Sequence, residues 1–574
     1  MTRAEPSSVA DFEPLRRAER LLLKACARGD IARVGLRRPK EASPEVTVRA
    51  AFVAFLSRGG DETHPVRGRR IQLLGAWIDG RLDLGGDIVP LSLWFYRCVF
   101  DAVPLFDATH VQGGLAFPDC ELPGLMAEGC KVTLDLALNA GCSVSGEVRL
   151  RRAHIGADLL CSRLKLQGHD SATTRRPMLA DSVRIDGDVF LNDGLEAFGE
   201  LRFVGAQIGG DFHGGHARIT GSLDATGARQ AALVLDRARV GGSVVLDAGF
   251  AAAGRVSMRR ARIDGDLDCT AAAFDMLGDA TWGRGVALVL DHAEVGGSLI
   301  LQGLQGPLLG ASLAGATVDS LVDDASTWGE RLVLDGFAYT RLGDGAPVDA
   351  EFRLAWLGRQ EPGHVHGADF RMQPWRRLVA VLRNMGHEHS GSTIAMRRET
   401  VLRRIGRIGL GTPAALRWLP RLGHAAFGAL AGYGLRPQRL LGWCLAVWLA
   451  CTAAFWFAAE EGVFAPTDAQ VFNDPRAASC RTPRPHWTHC PALPAEQPRF
   501  DALGYSLDQL VPLVDLQQVR HWAPMGSSPT ASSHLGDAVR WLGWLEALFG
   551  WLIVLLGAIS LGGWAERDRR DPRD

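Results

Sequence analysis

The side chain with the most chemical leverage in this sequence is Glu546. It is the lone charge in an apolar run over 541–564, WLGWLEALFGWLIVLLGAISLGGW. A carboxylate inside a membrane-length segment is costly and usually functional. One turn inside its run, it could equally reach the interface, and both readings stand. Upstream lies Phe500-Asp-Ala-Leu-Gly-Tyr505-Ser506-Leu-Asp508-Gln-Leu510, followed by Val-Pro-Leu-Val-Asp515-Leu516. Tyr505, Ser506, Asp508 and Asp515 are the polar groups such a stretch would bring to a membrane site. Cys480 and Cys490 stand ten residues apart in the same region. In an oxidising compartment they could form a disulfide, with two free thiols as the alternative.

Other constellations weigh less. His387-Glu388-His389 lacks the His-Glu-x-x-His spacing of a metalloprotease helix, and residues two apart point to different helix faces. His364 and His366 fail in the same way. Gly406-Arg-Ile-Gly409-Leu-Gly411 follows an Arg-rich helical run rather than a strand, so it reads as a helix-breaking turn and not a dinucleotide loop. Cys120, Cys130, Cys142 and Cys161 read as small interior residues rather than a metal cluster. Asp79, Asp186, Asp188, Asp211, Asp264 and Asp266 recur beside glycines with Arg81, Arg184 and Arg262 interleaved. This predicts a solvated ladder of alternating charge. No catalytic residue, cofactor-binding residue or metal ligand is assigned, and no cofactor is expected.

Two elements must position the membrane groups. The run over 440–459 (LLGWCLAVWLACTAAFWFAA) is uncharged and about 20 residues long, the length a helix needs to span a bilayer. The second is the run over 541–564, with Trp at both ends as expected at interfaces. Arg397, Arg398, Arg403, Arg404, Arg407, Arg417, Arg421, Arg436 and Arg439 precede the first, and Arg567, Arg569, Arg570 and Arg573 follow the second. Positive flanks stay inside, so both termini are expected in the cytoplasm and the loop over 460–540 outside. The first twenty residues are charged and lack the apolar core of a signal peptide. The expected location is a bacterial inner membrane.

Between about 70 and 340 one pattern recurs, Ala-x-Ile/Val-x-Gly-x-Leu/Val-x-Leu. Ala76-Trp-Ile78-Asp-Gly80-Arg-Leu82-Asp-Leu84 is one copy; Ala238-Arg-Val240-Gly-Gly242-Ser-Val244-Val-Leu246 is another. The marking glycines at 187, 199, 210, 221, 242, 254 and 265 step mostly by 11 or 12 residues. Two such units would make a turn of about 22 residues, a solenoid period. Alternation puts the aliphatic residues on one face of short strands, and glycine is expected to turn the corners with positive φ. A unit that cannot bury its own face must stack on its neighbours. The fold class is therefore mainly β: a β-solenoid of Gly-punctuated strands with helical caps, then a helical hairpin and two transmembrane helices. The domain reading is an N-terminal helical cap (1–69), the repeat domain (70–345), a helical linker (346–436) and a membrane module (437–574). Lys and Arg number 63 against 64 Asp and Glu, a formal net charge of -1, so no basic footprint for nucleic acid exists.

The repeats, together with Gln373-Pro374-Trp375 through Met385-Gly386-His387, resemble a group of bacterial membrane proteins with pentapeptide-like β-helical repeats and a two-helix C-terminal membrane module. That group is often labelled membrane-associated oxidoreductase, so the resemblance implies a redox activity. A second, shorter resemblance links 500–510 to the pore helix of two-helix potassium-type channels, where an aromatic-Ser pair precedes the filter. Its filter needs Thr-Val-Gly-Tyr-Gly carbonyls, whereas 511–516 has no glycine and contains Pro512.

Three functions are therefore expected in order. The first is a membrane-anchored cytoplasmic β-solenoid acting as a binding or scaffolding module, with lipid and a protein on the solenoid face as partners. The second is a ligand-gated pore, with 500–516 re-entrant and the chain a homo-oligomer. The third is a membrane-associated oxidoreductase.

Overall fold

The computed structural model describes residues 7–167, 176–223, 229–275, 286–481, 486–526 and 534–567. Arg569, Arg570 and Arg573 of the second flank lie outside the described residues. The chain divides into two compact units, 1–394 and 395–574.

The first unit opens with helices α1 (Arg17–Arg28) and α2 (Ala50–Ser57). It continues in three long parallel sheets of 21, 10 and 9 strands, most of the strands only two or three residues long. The arrangement is solenoid-like. One coil runs through strands Glu121–Leu122, Leu125–Met126, Lys131–Val132 and Leu136–Ala137. The next stacks on it in register, with Glu121 on Ser143, Leu125 on Val148, Lys131 on His154 and Leu136 on Leu159. Leu93 pairs with Leu115, Leu115 with Leu136 and Leu136 with Leu159, steps of 22, 21 and 23 residues. Leu122, Leu125, Val132 and Leu136 are fully buried, as are their counterparts Val144, Val148 and Leu159. The core is a stack of aliphatic columns.

The glycines work only in part as the sequence suggested. Gly80, Gly199 and Gly254 take positive φ, at 84°, 120° and 135°, but Gly187, Gly210, Gly242 and Gly265 have ordinary φ, and other positive-φ corners fall on residues such as Arg152, Ser182, Arg237, Arg260 and His292, at φ 54–59°. Left-handed backbone costs a non-glycine residue about 1–2 kcal/mol. Here the next coil offsets it. The corner N–H groups of Arg152, Ser182, Arg237 and Arg260 donate to the carbonyls of Asp181, Val204, Arg259 and Asp291, at 2.7–2.9 Å. The glycines serve close approach. A Cβ on Gly156, Gly209, Gly241 or Gly296 would overlap the carbonyl oxygen of Thr133, Asp186, Gly209 or Asp264 one coil below.

The expected ladder of alternating charge separates into two sets. Asp188, Asp211 and Asp266 face backbone: their Oδ1 atoms accept the N–H of Asp211, Ser243 and Ser298 on the following coil, at 2.6–2.7 Å. Only Asp79, Asp186 and Asp264 pair with arginines, with Arg16 at 2.7 Å, Arg184 at 2.8 Å and Arg262 at 3.6 Å. Cys120, Cys130, Cys142 and Cys161 are buried within the stack. Burial pushes the Cys130 and Cys142 thiols up to about 12.

Helices α3 (Ala350–Gly358), α4 (Pro362–His366), α5 (Met372–Asn384) and α6 (Glu388–Arg404) follow, α6 running across the division between the units. A last coil leaves unpaired strand edges that invite aggregation. Helix α5 covers them: Gln373 Nε2 donates to Phe337 O at 2.9 Å and Arg377 Nε to Tyr339 O at 2.7 Å. Beneath α3, Arg353 meets Asp323 through two hydrogen bonds of 2.7 and 2.8 Å, both side chains fully buried.

The second unit contains α7 (Trp418–Ala431), α8 (Gln438–Glu460), α9 (Ala469–Asn473), α10 (Ala502–Leu510), α11 (Gln518–His521) and α12 (Leu535–Arg567). Helices α8 and α12 are long and apolar enough to cross a membrane. Their outer faces expose Leu441, Trp443, Leu449, Trp456, Leu548 and Leu555. The intervening segment packs onto their ends around Phe455, Phe464, Trp487, Tyr505 and Trp522. An antiparallel ribbon of Phe464–Pro466 and Trp522–Pro524 closes it.

Candidate functional site

Two places gather chemistry, one in each unit. In the second unit, α10 lies against α8 and α12. Asp501 caps α10, accepting Gly504 N–H at 2.8 Å, a helix start that an Asp side chain favours. Trp448 Nε1 of α8 donates to Leu503 O at 3.1 Å, and Gln509 Nε2 donates to Gly543 O of α12 at 3.0 Å. A Cβ on Gly550 would overlap Leu510 O. Gly543, Glu546 and Gly550 follow i, i+3, i+7 spacing, so the two glycines open the groove in which α10 lies and Glu546 sits at its centre.

Glu546 is 2% exposed. Its Oε1 lies 2.5 Å from Ser506 Oγ, and the same Oγ is 3.2 Å from Trp448 O. Ser506 has one hydroxyl proton, so it can serve both oxygens only when the carboxyl supplies a second. Glu546 Oε2 has no hydrogen-bond partner, and no cationic side chain pairs with Glu546 among the described residues. The group could accept one more donor, take up a proton or hold a small cation. Helix α12 begins six residues before the apolar run, at Leu535, and Trp448 stands ten residues into α8 and twelve from its end. Glu546 therefore faces the middle of α8.

Tyr505 is buried among aromatic rings, 5.1 Å from Phe455, 5.0 Å from Phe464 and 5.6 Å from Phe500. Asp508 does not join Glu546. Its two oxygens accept the N–H groups of Leu516 and Val519, at 2.8 and 2.9 Å, and so fold the irregular segment between α10 and α11. Asp515 is exposed and accepts Gln517 N–H at 2.9 Å. Of Tyr505, Ser506, Asp508, Asp515 and Glu546, only Ser506 and Glu546 bond each other. Cys480 and Cys490 are joined in a disulfide in the segment between α8 and α12. Trp448, Gln509, Gly543 and Gly550 carry the arrangement unannounced; the spacing of the glycines around Glu546 was the available signal.

The first unit offers a solvent-open trough of about 700 Å³. Its wall is a register column, with Arg184 on Gln207, Gln207 on Arg239 and Arg239 on Arg262. Its floor is Gly209 and Gly241, which the stacking requires to be bare. Asp186 and Asp264 mark its ends. The Arg184 guanidinium, with His154 Nε2 at 2.9 Å, holds the Asp186 carboxyl below the usual carboxylate range. Arg262 meets Asp264 and Glu294, both at 3.6 Å. Arg239, between them, pairs with no carboxylate among the described residues.

The histidine motifs gather no ligand set; among the described residues no group of three His, Cys, Asp or Glu side chains could hold a metal. Gly406 and Gly409 take positive φ, 76° and 80°, in the turn after α6. Comparison with protein-family models, curated proteins and solved structures finds no match.

Proposed function

We propose that the chain is a multi-pass inner-membrane protein whose β-solenoid acts at the cytoplasmic face as a scaffold for a protein partner. The trough carries this reading. Stacked coils present a long regular face, the kind of surface repeat proteins use for partners. Here the bare glycine floor admits an extended backbone. Arg239, which pairs with no carboxylate among the described residues, would meet an acidic side chain of the docked segment. Helices α8 and α12 cross the bilayer in this reading, with Leu and Trp towards lipid. The arginines before α8 put its N-terminal side inside, so the disulfide-bearing segment lies outside.

The test uses the full chain in its native membrane with a photo-reactive residue at Gln207. One discrete adduct, lost with Arg239→Glu and retained with Arg331→Glu elsewhere on the surface, is the expected result. Labelling without a discrete adduct overturns the scaffold.

A second reading, a pore, is favoured by one observation: α10 is held between the two apolar helices by Ser506, Gln509 and Trp448. A symmetric oligomer in detergent, with a planar-bilayer conductance that changes in Glu546→Gln, would establish it over the scaffold. With Pro512 and no glycine in 511–516, such a pore would conduct without a filter of stacked carbonyls.

A further inference from the structure

Helix α7 is built the wrong way round for a helix facing water. Trp418, Leu419, Leu422, Ala426 and Ala429 are all exposed, and at 100° per residue they fall on one face about 100° wide. The opposite face holds Phe427, partly buried, and Ala431, fully buried. A surface helix places its polar residues outward. Just before α7, Leu410 and Leu416 are also exposed, at 65% and 47%. Exposed apolar side chains therefore recur from Leu410 through the outer face of α7.

Arginines border this surface. Arg417 and Arg421 flank the exposed face of α7, and Arg403 and Arg404 end α6. None of the four pairs with a carboxylate among the described residues. Gly432 ends α7 in left-handed backbone, and α8 starts at Gln438, so the apolar face lies close in the chain to the first membrane-length helix. An apolar face beside unpaired cations fits the plane of a lipid surface, where acyl chains take the Leu and Trp side chains and anionic headgroups meet the guanidinium groups.

We infer that α7 lies in the plane of the inner leaflet and binds anionic phospholipid through Arg403, Arg404, Arg417 and Arg421. This rests on the membrane-spanning reading of α8. Each juxtamembrane arginine near an anionic surface contributes about 1 kcal/mol. Losing four would lower the anionic preference by roughly two to three powers of ten if the terms add, and by less with salt screening.

The experiment reconstitutes the full chain, carrying Cys444→Ser and a spin label at Leu422→Cys, into two kinds of vesicle: phosphatidylglycerol with phosphatidylcholine, and phosphatidylcholine alone. Retention after alkaline carbonate is scored in parallel. The expected result is a label that collides with oxygen rather than with a water-soluble nickel chelate in the anionic vesicles. It moves towards water in neutral vesicles, and in anionic ones when the four arginines become Gln. A label in water in both vesicles, in a carbonate-retained protein, overturns this inference alone. Equal immersion in both vesicles overturns the anionic recognition. Release by carbonate overturns the membrane reading of α8 itself.

Discussion

The joint between the last coils and α3 depends on one buried charge pair, and its removal has a calculable effect. Arg353 Nη1 and Nη2 bond the two oxygens of Asp323 at 2.8 and 2.7 Å, and Arg353 Nε donates to Pro347 O at 2.7 Å. Trp328 Nε1 donates to the same carboxylate at 2.7 Å. In Arg353→Met that carboxylate keeps only the indole and stays out of water. Breaking a buried pair by removing one partner costs about 3–5 kcal/mol, because the remaining charge is uncompensated. The affected opening is local, since stacked repeats open from their ends. Leu332 N–H donates to Arg359 O at 3.1 Å just past α3, so releasing α3 exposes that amide. At about 1.4 kcal/mol per power of ten, hydrogen exchange in a peptide spanning 328–342 should quicken by roughly two to three and a half powers of ten. A peptide spanning 115–137, far along the stack, should not change. The double variant Asp323→Leu, Arg353→Met removes both charges and should recover most of the protection. Unchanged exchange in 328–342 for Arg353→Met, or a double variant as open as the single, would refute the assignment of this pair as what fastens the cap.

Three further outcomes follow from particular contacts. Gly241→Val puts branched carbons on the Gly209 carbonyl, so the coils at 209 and 241 must part; circular dichroism should show an early melting step in the β signal, and a wild-type melt would count against close approach as the reason for glycine. Ser506→Ala removes the hydroxyl that donates to buried Glu546 Oε1, at a cost of about 1–3 kcal/mol, so its melting temperature in detergent should fall; Glu546→Gln, which can still donate to Ser506, should stay near wild type. At α1, burial raises the Glu19 carboxyl, but the Arg49 guanidinium together with the N–H groups of Arg16 and Arg49 outweighs burial, and the group lies below its ordinary value. Its contribution is then complete above the ordinary carboxylate range and is lost as pH falls through the depressed value; exchange protection of α1 should decline at acid pH, and Glu19→Gln should remove that part of the dependence.

The sequence made the 22-residue coil legible because glycines recur where a Cβ would overlap an atom of the coil below, as at Gly209 and Gly241. It did not make the reason legible. An Ile-Asp-Gly-Asp stretch reads the same whether glycine turns a corner or yields to a carbonyl, and only the register decides. Asp186 and Asp188 were equally indistinguishable on paper; one faces Arg184 and the other an N–H of the next coil. Arg237 and Arg260 gave no sign of left-handed backbone, because a carbonyl of the following coil imposes it. In the second unit Glu546 stood out as a charge in an apolar run. Its partner Ser506, 40 residues earlier, could be singled out only through the pore-helix resemblance, and Trp448 not at all, since what it offers is a backbone carbonyl.

The trough follows from the same constraint that builds the stack. Gly209 and Gly241 are bare because the coil spacing leaves no room for a Cβ, and their bareness is what opens the floor. Stacking alone therefore produces a channel wherever such glycines fall on successive coils, and the channel itself carries no specificity. The rim does. Arg184 and Arg262 are already committed to Asp186, Asp264 and Glu294, so substituting either would disturb the wall as well as any partner. Arg239 has no such commitment. A charge reversal there alters what the trough offers to a docked segment while leaving the coils intact. For that reason Arg239→Glu, rather than a change in the glycines or the paired arginines, separates recognition from folding in this protein.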